Sequence, residues 1–196
     1  MLPNQCQVAL KEWAVTVRAL AQGQQTLLLR KGGIHEGSKD FRVVHPEFLL
    51  YPTFEHQRED LLQPDYQPGL RYLLDEPRNS DQIVFSHWAK VEELIEISEQ
   101  DKVDGLSPHF IWTKEYAQSR LHWKPMLSLS VLLLRVYEIG QPVSVPYLKE
   151  YGGCTSWVDI LDRVNLDGLQ PVLSDAEFGR RVEEIKGSLG MALAAS

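Results

Sequence analysis

The residues best suited to chemistry begin at Arg30-Lys31-Gly32-Gly33, where two cations adjoin two glycines. Glycine lets backbone N–H groups come close to an anion, so the combination suits a phosphate. The Gly-Lys-Ser/Thr run of a Walker loop is absent, and a plain turn between strands would account for the same four residues. A second polar cluster, Thr53, Glu55, His56 and Gln57, follows the apolar run Phe48–Tyr51. A third interleaves rings with cations: Trp112, Tyr116, Arg120, Trp123 and Lys124. Such a mixture can stack a base and hold its phosphate. The helical spacing of Trp112, Tyr116 and Arg120 is equally how a helix packs aromatics on a core.

Arg135 interrupts the apolar run VLLLRVYEI. A charge there must reach a solvated face or find a buried acid, and Glu36, Glu55 and Glu138 are the candidate partners. A different chemistry would use Glu36, His45, Glu55 and His56, with His35 nearby, as metal ligands or a general base. No HxH, HExxH or CxxC spacing supports it, so this alternative, a metal-assisted hydrolase or nuclease, depends on tertiary folding alone. His56 is its best-placed member, after a strand end and Pro52-Thr53. Cys154 follows Gly152-Gly153 as a nucleophile would, but no base can be placed beside it, and buried cysteine is commoner. Glu184-x-Lys186 has an acid-x-lysine spacing without a preceding Asp-bearing strand, and reads as a solvated pair. No metal set and no cofactor is indicated.

The elements that must position these groups are read as follows. Gln5–Gln22 has helical spacing at Leu10, Trp13, Val17 and Leu20, with Gly23 as its cap. Strands at Thr26–Leu29 and Phe48–Tyr51 would pair as an antiparallel, hairpin-like unit. REDLL suits a short helix, and Pro64, Pro68 and Pro77 predict an irregular crossing with at most a turn of helix. Ile83–Ile97 fits helix or strand, and its β-branched and aromatic start favours a long strand. Ser107-Pro108 is a suitable helix start, a helix follows over Thr113–Leu121, and Leu127–Ile139 is the most strand-like run. Gly140-Gln141-Pro142 should turn that strand into Val143–Val145, with a short apolar piece at Val158–Leu161. Ser174 to Glu177 is a capping box opening a helix striped by Phe178, Val182, Ile185 and Leu189. The expected fold is α+β: a mostly antiparallel curved sheet, or a small partly open barrel, with flanking helices. It forms one domain over 1–196, with 174–190 as a candidate appendage.

A net charge of −7 argues against coating DNA through bulk electrostatics but permits a local basic pocket. Arg30, Lys31, Lys39 and Arg42 mark the early part of the chain as its place, while acids gather in Glu92–Asp104. Two distant cysteines fit reduced thiols, and neither a transmembrane run nor a secretion signal is present. A cytoplasmic, membrane-free protein is expected.

The runs LKEWAVTVRALAQGQQTLLLRKGGIHE, FLLYPTFEHQ, IWTKEYAQSRLHWKP and VLLLRVYEI resemble a bacterial family of uncharacterised proteins, domain of unknown function 1802, over nearly the whole chain. The resemblance implies an occasional association with restriction-type nuclease domains, hence a role near nucleic acid and a nuclease as partner. The opening also resembles PUA-like barrels bearing a Gly-x-Lys-x-x-Glu-x-Arg motif. Gly23 and Arg30 keep its spacing, whereas Gln25 and Leu28 replace its Lys and Glu. That departure withdraws any hydrolytic or base-modifying role and leaves the barrel as the implied fold.

The leading expectation is a non-catalytic module for a nucleic-acid element or nucleotide-like ligand. Arg30 and Lys31 would hold phosphate, and Gly32 and Gly33 would admit close backbone approach. Tyr51, Trp112 or Trp123 would stack; His56, Gln57 and Arg120 would read polar edges; Thr53 and Arg135 complete the set. A purely structural partner of another protein is the remaining reading. Convergence of Arg30, His56, Arg120 and Arg135 on one cavity would carry the first.

Overall fold

In the computed structural model, residues 2–31, 45–153 and 155–191 are described. The first element is β1 (Gln5–Trp13), where a helix was expected. Leu10 and Trp13 have helical spacing, but distant strands on both flanks override that local pattern. Only Ala14–Ala21, α1, is helical.

After β2 (Leu27–Lys31) come β3 (Glu47–Thr53) and two 3-10 turns, Glu59–Leu61 and Pro64–Tyr66. Then α2 (Gln67–Asp75) forms where an irregular crossing was expected. Its Pro68 lies in the first helical turn, where a missing N–H costs nothing, and Pro77 lies beyond its end. The long strand β4 (Gln82–Ile97) is present, followed by α3 (Gln100–Gly105) and a single 3-10 turn at Ser107–His109. Thr113 caps α4 (Lys114–His122) by accepting from the Tyr116 N–H at 3.2 Å.

Next is β5 (Leu129–Pro146), which runs straight through the expected turn. Between the pairs His87↔Glu138 and Phe85↔Val143 the register shifts, so residues 139–142 are absorbed as a bulge opposite Ser86. Gly140 is needed there for a different reason. A Cβ on it would stand 2.8 Å from the Asp167 carbonyl oxygen. The short apolar piece expected at Val158–Leu161 extends into β6 (Trp157–Asn165), followed by β7 (Gln170–Pro171) and α5 (Asp175–Ser188), which opens on the capping box of Ser174 and Glu177.

The sheet has the order β2-β5-β4-β3-β1-β6, with β7 on β5. Its pairings are antiparallel except β1 with β3. The α+β, mostly antiparallel expectation therefore holds, in a sheet not closed into a barrel. The hairpin expected between β2 and β3 does not form: β2 pairs β5, and β3 lies between β4 and β1. Yet the sheet curls enough for Arg30 on β2 to reach β1, with three strands between them in the order, by donating to the Lys11 carbonyl at 2.9 Å. The gap between these two strands is an open seam spanned by a side chain.

Two apolar clusters fill the interior. The larger joins Leu10, Leu28, Phe48 and Leu132 of the sheet to Leu20, Val103, Leu121 and Ile185 of the helices. The other gathers Tyr51, Phe85, Trp88, Tyr151 and Ile160. Among the described residues, no helix is long and apolar enough to cross a membrane.

Candidate functional site

The seam between β1 and β2 concentrates polar groups. Arg30 Nη2 donates to Glu12 Oε2 at 2.9 Å as well as to the Lys11 carbonyl. The two charged side chains are only 13% and 14% exposed. Arg30 Nε is buried and has no acceptor among the described residues. Glu12 is held on three further sides: its Oε1 accepts from the Trp13 N–H at 2.9 Å, its carbonyl accepts from Thr53 Oγ1 at 3.0 Å, and β3 flanks its backbone. Gln57 works at the same corner. Its Oε1 accepts from the Val15 N–H at 3.0 Å, satisfying one of the orphan donors in the first turn of α1.

Helix α4 covers the seam. The Tyr116 ring lies 5.4 Å from Trp13 and 5.9 Å from Trp112, and the Arg120 guanidinium sits 5.4 Å from its centroid. Burial pushes the Tyr116 phenol above its ordinary value; Arg120 and Arg30 oppose the rise, and Glu12 adds to it. Glu12, Arg30, Tyr116 and Arg120 thus form one electrostatic group. Lys31 points elsewhere: its Nζ donates to the carbonyls of Leu121 and Leu127, tying β2 to the last turn of α4 and the loop after it. Burial pulls its ammonium below the usual lysine value. Past α4, the Trp123 ring is 52% exposed with Lys124 Nζ 4.6 Å from its centroid, and Met126 is 94% exposed.

The structure therefore brings together Arg30, Thr53, Gln57 and Arg120, with Trp123 on the adjoining turn. It does not bring in the rest. Tyr51 and Trp112 are buried and cannot stack an incoming base; burial pushes the Tyr51 phenol up to about 12. Trp112 precedes α4, bridged to Leu62, and so faces the core. His56 is exposed in a left-handed turn with φ 62°. His45 precedes β3 and packs edge-on against Trp157 at 5.1 Å, whereas Glu55 and His56 follow β3. At about 3.3 Å per residue, the length of β3 separates the two histidines, so the expected histidine–glutamate cluster does not assemble. Gly32, Gly33, His35, Glu36, Lys39, Arg42 and Cys154 lie outside the described residues.

Arg135 is buried away from the seam. Among the described residues, neither Glu55 nor Glu138 is its partner; it bonds Asp175 at 2.7 Å and the Ser174 carbonyl at 3.2 Å, with Phe178 4.8 Å away. The capped start of α5 folds over β5 and supplies these groups. The expected Glu184–Lys186 pair is also replaced, because Lys186 bonds Glu93 at 2.6 Å and Glu184 bonds Arg180 at 2.9 Å. Among the described residues, no group of three or more His, Cys, Asp or Glu is placed to hold a metal ion.

Glu12 and Trp13 are the functional candidates that sequence reasoning passed over. The only signal for them was an acid beside a tryptophan at the end of what proves to be a strand.

Comparison with known proteins gives a family and little more. The family described as "Domain of unknown function (DUF1802)" matches residues 9–184. No curated protein matches. Among solved structures, the crystal structure of a ZmASCH mutant protein from Zymomonas mobilis is similar, at 12% identity and a TM-score of 0.43, covering 92% of this chain and 97% of that one. A likeness at that level carries no argument about function.

Proposed function

Starting from a chain that belongs to the DUF1802 family, we propose that it is a binding module for a nucleotide-like ligand or a short single-stranded nucleic-acid element, seated where α4 covers the seam. One observation carries the reading: Arg120 on Tyr116 and Lys124 on the half-exposed Trp123 put two cation–ring pairs on adjoining turns, beside the buried Glu12–Arg30 pair. Trp123 supplies a stacking face, Arg120 and Lys124 hold phosphate, and Arg30, paired with Glu12, fixes the seam. A net charge of −7 argues against coating a long duplex through bulk electrostatics, which favours a short, locally held ligand. A restriction-type nuclease as the protein served, and a cytoplasmic setting, belong to the same reading and rest on the family likeness and on cysteine usage.

Fluorescence anisotropy with labelled single- and double-stranded RNA and DNA, and competition by mononucleotides, tests it. Two phosphate contacts imply a log–log salt slope of roughly −1.4 for a single strand. Trp123→Ala should cost a stacked base about 1–3 kcal/mol, and Arg120→Gln should flatten the slope. Absent binding, or binding indifferent to salt and to both substitutions, rejects the proposal.

A further inference from the structure

A groove between α1 and the start of α2 serves none of the roles assigned above. It encloses about 180 Å³, less than the roughly 300–1,000 Å³ of pockets for drug-sized ligands. A space of that size suits only a small molecule. Val15 and Ala19 of α1, both buried, give it an apolar floor. Arg18 and Asp65 stand around that floor with Tyr66, Gln22 and Gln24.

The two charges set this groove apart. The Arg18 guanidinium lies 4.8 Å from the centroid of the Tyr72 ring, which holds the cation in place without neutralising it. Among the described residues, no carboxylate pairs with Arg18 and no cation pairs with Asp65. On the neighbouring surface opposite charges do meet, Arg58 with Asp60 and Arg71 with Glu59. Arg18 and Asp65 share one cavity, stay apart, and remain available to a third party carrying both complementary charges.

We propose that this groove binds a small zwitterion, a free α-amino acid, with its carboxylate on Arg18 and its ammonium on Asp65. A guanidinium matches a carboxylate with two parallel N–H donors, and a carboxylate accepts from an ammonium. The ligand's stem lies on Val15 and Ala19, and its side chain meets the amides of Gln22 and Gln24 or the Tyr66 hydroxyl. The site stands independently of the seam, so failure of oligonucleotide binding leaves it untouched.

Gly69 provides a clean test. It lines the groove from within α2, and a Cβ added there meets no heavy atom within 4 Å. Gly69→Leu fills the space, leaves both charges in place and removes a glycine from a helix. Isothermal titration of the full chain against the set of proteinogenic α-amino acids, each with its N-acetyl and methyl-ester forms, gives the readout. At least one amino acid binds, and both blocked forms lose that binding. Arg18→Ala and Asp65→Ala each weaken it about tenfold or more, and Gly69→Leu abolishes it while the melting temperature holds or rises. No binding by any amino acid, equal binding by a blocked form, or binding that survives Gly69→Leu overturns the proposal.

Discussion

Replacing Arg30 with methionine asks whether the curled sheet depends on its seam. Both partners are largely out of water, at 13% and 14% exposure. The lost Nη2 makes two bonds of 2.9 Å, one to the Glu12 carboxylate and one to the Lys11 carbonyl. The guanidinium is the charged donor in both, and a charge-assisted bond contributes about 1.5–3 kcal/mol. Methionine keeps much of the apolar stem, so packing changes little, while Glu12 is left without its counter-charge. We expect Arg30→Met to lower the unfolding free energy by about 3 kcal/mol, at the edge of the range for breaking a buried pair. Glu12→Leu alone should cost a similar amount. The double variant should recover much of the loss, because two apolar groups then replace a desolvated ion pair. Urea unfolding followed by tryptophan fluorescence on all four proteins measures this. If the two losses simply add, the pair is not what holds β2 against β1, and the account of the seam is wrong.

Two further outcomes follow from the same geometry. Gly140→Ala should cost about 1–3 kcal/mol, read as a lower melting temperature, since its Cβ would meet the backbone oxygen of Asp167 at 2.8 Å; an unchanged value would mean that β5 and the 167–168 turn are not in close contact. Burial holds the imidazoles of His87 and His109 below the ordinary histidine value, against the opposing charges of Glu138 and Glu184. The unfolded chain therefore takes up protons first as pH falls, and stability drops from about pH 7 downwards through the histidine range. His109→Asn, which keeps a polar group facing Ser188, should make that decline shallower in urea titrations; an unaltered profile would assign it to other groups.

What the amino-acid order disclosed was local. The β-branched start of β4 and the capping box of α5 act over a few neighbouring residues, and both were legible. Strand β1 was not, because its partners are residues 49–53 and 157–165, which no window around Leu10 contains. The continuity of β5 was hidden for a related reason: a glycine and a proline signal a turn unless a partner strand absorbs them as a bulge. For the site, Arg30, Thr53, Gln57 and Arg120 could be named from residue type. Tyr51 and Trp112 carry the same chemical label as Trp123, and burial alone separates them. Arg135 was rightly read as needing a partner, but Asp175 could be supplied only by the way α5 folds back.

The pairing of Gln5 with Asn165 carries a consequence for biogenesis. While the ribosome is still translating, β1 can meet β3, but its other side lacks its partner strand until residues 157–165 have emerged. A nascent chain therefore carries a bare strand flank until that distant strand is made, the kind of surface on which neighbouring chains join. Shielding of that flank, by a chaperone or by rapid completion of translation, should govern how much of the protein is recovered in soluble form.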